Sequence, residues 1–153
     1  MTDRRAELHR PFRPRAARWV SWVFGVLVVV VLGSIVVVLP SEGPVAASPL
    51  DRAGIAAFAA LVVWFLGRQA GVRADPDEDG LTVRNLVVRR RLDWGQVVSV
   101  RFGQGRPWVQ LDLDDGDTLA VMAIQRADGL LAAAEAQRLA TLVALHSTTD
   151  RDD

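Results

Sequence analysis

Two blocks of this chain carry no charge, and the stretch behind them alternates apolar with polar positions. From Trp19 to Leu39 the residues WVSWVFGVLVVVVLGSIVVVL include no ionisable group. As a helix rising about 1.5 Å per residue, the block covers roughly 31 Å, which matches a bilayer core of about 30 Å. Valines favour strands in water, but in lipid each backbone group must find its partner within the segment, so a helix is predicted. The second block, Ala53 to Gly67 (AGIAAFAALVVWFLG), covers only about 22 Å as a helix. Arg52 and Arg68 at its ends can snorkel, and Ala53 with Ala57 and Ala56 with Ala60 allow close helix packing. A buried amphipathic or re-entrant helix is the competing reading. Trp19, Trp22 and Trp64, with Arg18 and Arg68, fall where indoles and arginines anchor at a membrane interface.

After Arg68 the period becomes two. Val72 and Ala74, then Leu81 and Val83, lie on either side of the turn-forming DPDEDG. A further turn near Asn85 leads into LVVRRRL. Trp94 with Gly95 marks a break, and Trp94 is a candidate core anchor where the sheet bends. In QVVSVRF, Val98 and Val100 project opposite Val97 and Ser99. WVQLDL alternates Val109, Leu111 and Leu113, and TLAVMAI alternates Leu119 and Val121. Between these last two runs, Asp114-Asp115-Gly116-Asp117 suits a tight hairpin with a positive φ. About six antiparallel strands result.

From Asp128 the period changes to that of a helix, with Asp128 as its expected cap, running to near His146. Leu131, Leu139, Leu142 and Val143 share a face with Ala132 and Ala136, and Glu135 intrudes into that face. The predicted class is α+β: a two-helix transmembrane hairpin, then a bent antiparallel sheet or barrel closed by a C-terminal helix, the outline of a pleckstrin-homology (PH) fold. The expected organisation is a disordered basic tail over 1–18, spans over 19–39 and 53–68, an extracytoplasmic loop over 40–52, a PH-like domain over 70–146 and a disordered tail over 147–153.

Charge adds orientation. The formal net charge is zero, yet Arg4, Arg5, Arg10, Arg13, Arg15 and Arg18 precede the first span, while Arg52 alone lies between the spans and Arg68 and Arg73 follow the second. By the positive-inside rule both termini are cytoplasmic and the protein is multi-pass in the cell membrane. A signal peptide cut near Ala47 fits poorly, because the apolar run exceeds an ordinary h-region and a second one follows. The basic arm is explained by topology and contact with the anionic leaflet rather than by nucleic acid. Without cysteine, disulfides, thiolate nucleophiles and cysteine zinc sites are excluded. All basic residues other than histidine are arginine, which fits the codon bias of a GC-rich genome.

The blocks DEDGLTVRN, RRRLDWGQVVSVRF and PWVQLDLDDGDTLAVMAIQ, together with the paired apolar segments upstream, resemble in their order the bacterial PH-domain membrane proteins of the low molecular weight protein antigen 6 type. The resemblance covers about residues 18 to 146. It implies a small PH-like domain on a two-helix anchor, with no enzymatic activity established and no settled ligand.

Candidate chemistry is sparse. His9 and His146 have no serine, cysteine or carboxylate at triad spacing, and Gly103 to Gly105 lacks the lysine and following helix of a phosphate loop. No cofactor, metal or small-molecule substrate is expected. DPDEDG offers Asp75, Asp77, Asp79 and Gly80 as the start of a calcium loop, but the twelfth position, where a bidentate glutamate is needed, is Leu86. As the acidic tip of the first hairpin it would repel the phosphate that eukaryotic PH domains bind there. The lipid- or partner-binding candidates are Arg84, Arg89, Arg90 and Arg91, with Arg89 and Arg91 on one strand face and Arg90 on the other. The primary functional expectation is a non-enzymatic interaction or structural module at the cytoplasmic face, meeting a protein partner through a strand edge or the groove beside the last helix. The alternative is a peripheral reader of anionic headgroups through Arg84, Arg89 and Arg91.

Overall fold

The computed structural model describes residues 7–43, 47–103 and 105–149, with side chains of the last helix described through His146. The ends of the two expected tails, 1–6 and 150–153, lie outside the described residues. The chain divides into two compact units, one of residues 17–70 and one that joins residues 1–16 to 71–153.

The apolar unit contains α1 (Arg15–Val38) and α2 (Pro49–Ala70). Both are long and apolar enough to cross a membrane, and their large side chains face outward, with Val30 58%, Phe58 59% and Trp64 59% exposed. α2 starts before the expected Ala53. Ser48 caps it: the Ser48 N–H reaches the Asp51 carboxylate at 2.9 Å and the Asp51 N–H reaches Ser48 Oγ at 3.2 Å, with Pro49 at the first helical position. Its 22 residues cover about 33 Å, which removes the shortfall expected of a span starting at Ala53.

The earlier start also changes the role of Arg52. Its guanidinium donates to the carbonyls of Val36 (2.8 Å) and Leu39 (2.5 Å) and to Ser41 Oγ (3.2 Å). It therefore satisfies acceptors that the end of α1 leaves without helical donors. Toward the other end of the pair the two helices touch, since a Cβ on Gly25 would lie at an ordinary contact distance of 3.8 Å from Leu66.

The second unit holds six strands: β1 (Arg73–Pro76), β2 (Gly80–Arg84), β3 (Arg89–Asp93), β4 (Val97–Arg101), β5 (Trp108–Leu113) and β6 (Thr118–Gln125), followed by α3 (Leu130–Thr149). They form two three-stranded antiparallel sheets, β1-β2-β3 and β4-β5-β6, rather than a closed barrel. Alternation places Leu81, Val83, Leu92, Val109, Leu111, Leu113, Leu119 and Val121 in one core with Ala132, Ala136, Leu139, Leu142 and Val143 of α3. The α+β class thus follows the predicted order of elements.

Local chemistry accounts for the turns. Gly116 has φ 84° in the β5–β6 hairpin, where a residue with a Cβ is strained. Gly80 is required for a different reason: a Cβ there would lie 2.1 Å from the Leu92 carbonyl oxygen across the β2–β3 pair. Trp94 is 4% exposed in a 3-10 turn between the sheets, and its indole N–H donates to the Asp77 carbonyl at 3.0 Å.

Three details depart from the sequence pattern. A register shift between Val97 and Ser99 turns Val98 outward, 66% exposed, while Val97 is buried and Val100 packs against the core; an extra residue on one strand breaks strict alternation in this way. Asp128 does not cap α3, which begins after Gly129 at φ 59°. Its carboxylate instead accepts the N–H groups of Arg15 (3.2 Å) and Ala16 (2.7 Å).

The largest departure is the arm before α1. Residues 7–16, expected to be disordered, belong to the folded unit. Phe12 is 0% exposed and Pro14 is also buried, and Phe12 forms an antiparallel bridge with Ala74 on the outer edge of β1. Arg138 of α3 donates to the carbonyls of Glu7 (3.3 Å), Leu8 (2.6 Å) and Arg10 (2.8 Å), and its guanidinium stacks 3.7 Å from the Phe12 ring centroid. Glu135, the intruder on the apolar helix face, pairs with Arg138 at 2.5 Å and Arg10 at 3.5 Å. Burying an aromatic ring and satisfying the backbone around it overcomes the disorder that prolines and arginines suggest.

Candidate functional site

The candidate arginines sit on the β1-β2-β3 sheet, and strand register decides what each can do. β2 pairs with β3 so that Arg84 faces Arg89, Thr82 faces Arg91 and Val83 faces Arg90. Directly opposed residues share a face, so Arg89 and Arg91 lie on the outer face with Arg84, while Arg90 is turned the other way. β1 extends the row, because Arg73 faces Arg84. Three guanidiniums thus start from neighbouring strands about 4.8 Å apart at one end of the sheet.

Ion pairing divides the four candidates. Arg90 reaches Asp115 at 3.1 Å and Asp117 at 3.5 Å, and Arg91 reaches Asp77 at 3.0 Å and Asp79 at 3.9 Å. These two already have carboxylate partners on hairpin turns that sequence spacing does not place beside them. Arg73 is paired with Asp75 at 2.8 Å. Arg84 and Arg89 are exposed and form no ion pair among the described residues. Two like charges directly opposite each other destabilise a strand pair, and an anion shared between them would relieve that repulsion.

The opposite end of the same sheet is the acidic turn. Asp77 accepts the N–H groups of Asp79 (3.0 Å) and Gly80 (2.8 Å) with one carboxylate oxygen and Arg91 with both. Its oxygens close a turn and hold a guanidinium, so the calcium-loop pattern is used structurally. Among the described residues no three metal-ligating side chains are gathered.

The sequence pattern predicts the β2–β3 turn near Asn85, between Arg84 and Arg89, but does not single out the valines it carries. Val87 and Val88 are 81% and 52% exposed there. The turn is nonetheless tied down. Asn85 N–H donates to the Val88 carbonyl at 2.8 Å, and the Asn85 amide bridges to β6, donating to Ala120 O at 2.7 Å and accepting from Met122 N–H at 3.1 Å. The signal in sequence was LVV bracketed by arginines, which reads equally as a strand start.

The expected interface residues Arg18, Trp19, Trp22, Trp64 and Arg68 are all exposed, and Arg68 lies 5.7 Å from the Trp64 ring centroid. The two histidines meet edge to face at 5.9 Å, and His146 stacks on Trp94 at 4.8 Å. His146 Nδ1 is 2.8 Å from the Leu142 carbonyl.

Two antiparallel sheets closed by a C-terminal helix, following two helices long and apolar enough to span a bilayer, fit a membrane-associated PH-like module. The family described as Bacterial PH domain matches residues 69–141, a little under half of the chain; the match leaves out the arm that holds Phe12. An uncharacterized protein of Mycobacterium bovis and one of Mycobacterium tuberculosis are each 40% identical over 65 residues, 42% of this chain. The chain spans 42% of the length of these curated relatives. No solved structure matches it.

Proposed function

We propose that this protein is a non-enzymatic interaction module, anchored in the cell membrane by α1 and α2 as a hairpin and carrying its PH domain on the cytoplasmic face. The observation that carries this reading is the composition of the folded unit, which takes residues from both before and after the apolar pair. A segment that leaves and re-enters one folded unit crosses the bilayer an even number of times. The arginine distribution assigns the side. The two histidines pack against each other and His146 also stacks on Trp94, which favours a structural use of the imidazoles.

A partner peptide has fewer places to bind than the fold alone offers. The outer edge of β1 and the backbone acceptors facing Arg138 are occupied by the protein's own arm. The outer strands β3 and β4 are then edges for strand addition, and β6 is one only in part, because the Asn85 amide occupies Ala120 O and Met122 N–H. Reporter fusions at each end of the full chain test the topology: both should report the cytoplasm, and an external C-terminus would overturn it. Crosslinking in intact membranes tests the partner, and a strictly solitary protein would count against it.

A second reading is favoured by Arg84 and Arg89, opposed on one face and forming no ion pair among the described residues. They would contact anionic headgroups, at about 1 kcal/mol per arginine near a charged leaflet. Arg91, held by Asp77, is a weaker contributor to that contact.

A further inference from the structure

The end of the sheet that carries Arg84 and Arg89 is also the end at which the chain arrives from α2. α2 ends at Ala70 and β1 begins at Arg73, and Arg73 lies in register with Arg84, which lies in register with Arg89. The β2–β3 turn projects beyond this end, whereas the acidic turn of Asp77, Glu78 and Asp79 closes the other. The sheet is therefore charge-polarised along its strands, and Arg84 and Arg89, which form no ion pair among the described residues, mark the end at which β1 begins.

We infer that the β2–β3 turn is a bilayer-contact finger: Val87 and Val88 enter the headgroup boundary of the membrane that α1 and α2 cross, and Arg84 and Arg89 bind lipid phosphates on either side. The inference rests on the headgroup reading above and adds the apolar tip and its direction. An apolar surface flanked by cations is the chemistry of interfacial binding to anionic lipid. The Asn85 ties to Val88, Ala120 and Met122 fix the tip beforehand, so contact costs little ordering. A peptide partner fits this feature less well, since the turn is a convex tip whose Asn85 N–H is already bonded to Val88.

The absence of cysteine allows single nitroxide labels on the full chain in lipid nanodiscs. The sites are V87C at the tip, E78C at the opposite turn and V29C on the outward face of α1. Collision with dissolved oxygen is compared with collision with a neutral, water-soluble nickel chelate. V87C should be shielded from the chelate in anionic discs and open to it in purely zwitterionic ones, with E78C open and V29C shielded in both. Replacing Arg84 and Arg89 together by alanine should lower the shielded-to-open ratio at V87C roughly thirtyfold, from about 1 kcal/mol per arginine. V87C as open as E78C in anionic discs, with V29C still shielded, overturns the finger alone. Shielding of V87C that appears only when a protein extract is added overturns it in favour of a protein partner. V29C open to the chelate would sink the membrane-spanning reading and the finger with it.

Discussion

Phe12 and Ala74 exchange both backbone hydrogen bonds, at 2.8 and 3.0 Å, although the entire apolar pair of helices lies between them in sequence. The PH-like folded unit is thus assembled from two separated pieces of chain, and its core includes a ring contributed from before the first helix. Phe12→Ala should destabilise the folded unit by about 3–5 kcal/mol, the usual cost of removing a buried aromatic. Denaturant unfolding of the detergent-solubilised protein, followed by the fluorescence of buried Trp94, measures it. A change below half of that would show the arm to be dispensable.

Arg138 holds that arm by its backbone. One guanidinium reaches three carbonyls, Glu135 and the Phe12 ring, and hydrogen bonds made by charged groups contribute about 1.5–3 kcal/mol. Arg138→Gln should release the arm, opening the peptide bond between Phe12 and Arg13 to chymotrypsin under native conditions. Arg138→Lys should fall between, because an ammonium keeps the charge opposite Glu135 but lacks the planar fork.

Why strands were legible from sequence and the arm was not follows from how each is specified. Val109, Leu111 and Leu113 alternate within a few residues, and Ala132, Ala136, Leu139 and Val143 repeat on a helical period, so local pattern encodes their burial. Leu8, Phe12 and Pro14 show no period, and their partners, Ala74 and Arg138, are remote in sequence. Glu135 looked like a flaw because the group that needs it, Arg10, was assigned to a tail. Among the candidate arginines, residue type was legible but pairing was not: Asp77 and Asp115 come beside Arg91 and Arg90 only through turn geometry and register. The bulge between Val97 and Ser99 likewise leaves no mark in composition, yet it exposes Val98.

Gly80 tests how closely β2 and β3 must approach. With a Cβ placed 2.1 Å from the Leu92 carbonyl oxygen, Gly80→Ala forces the backbones apart, and a loss of about 1–3 kcal/mol is expected from overpacking. The same denaturant titration reads it, and an unchanged midpoint would mean the strand pair shifts without cost.

Acid sensitivity should arise in part from Asp112 on β5. The Ser99 hydroxyl, at 2.5 Å, is the chief cause that holds its carboxyl below the ordinary carboxylate range, with Arg101 and Thr118 adding to it. A carboxyl depressed in the folded state contributes stability above its unfolded pKa of about 3.9, and that contribution is lost as pH falls through the folded value. Thermal unfolding of the protein and of Asp112→Asn should therefore differ most near neutrality and converge in acid below the carboxylate range. Divergence on acidification would reverse the sign and refute the assignment.

Arg52 lies in the first turn of α2, where the proposed topology sets an arginine against the positive-inside rule, and the structure supplies a reason for its presence. Its guanidinium satisfies the carbonyls of Val36 and Leu39 and the hydroxyl of Ser41, and a carbonyl left without a partner near lipid is costly. Arg52→Ala should loosen the hairpin by roughly 1.5–3 kcal/mol, seen as a lower aggregation temperature in detergent and faster hydrogen exchange at the α1 terminus. Arg52→Gln, which retains a donor but not the charge, should recover part of the loss. If Arg52→Ala leaves both readouts unchanged, water rather than Arg52 satisfies these carbonyls, and the arginine has no structural role in the hairpin.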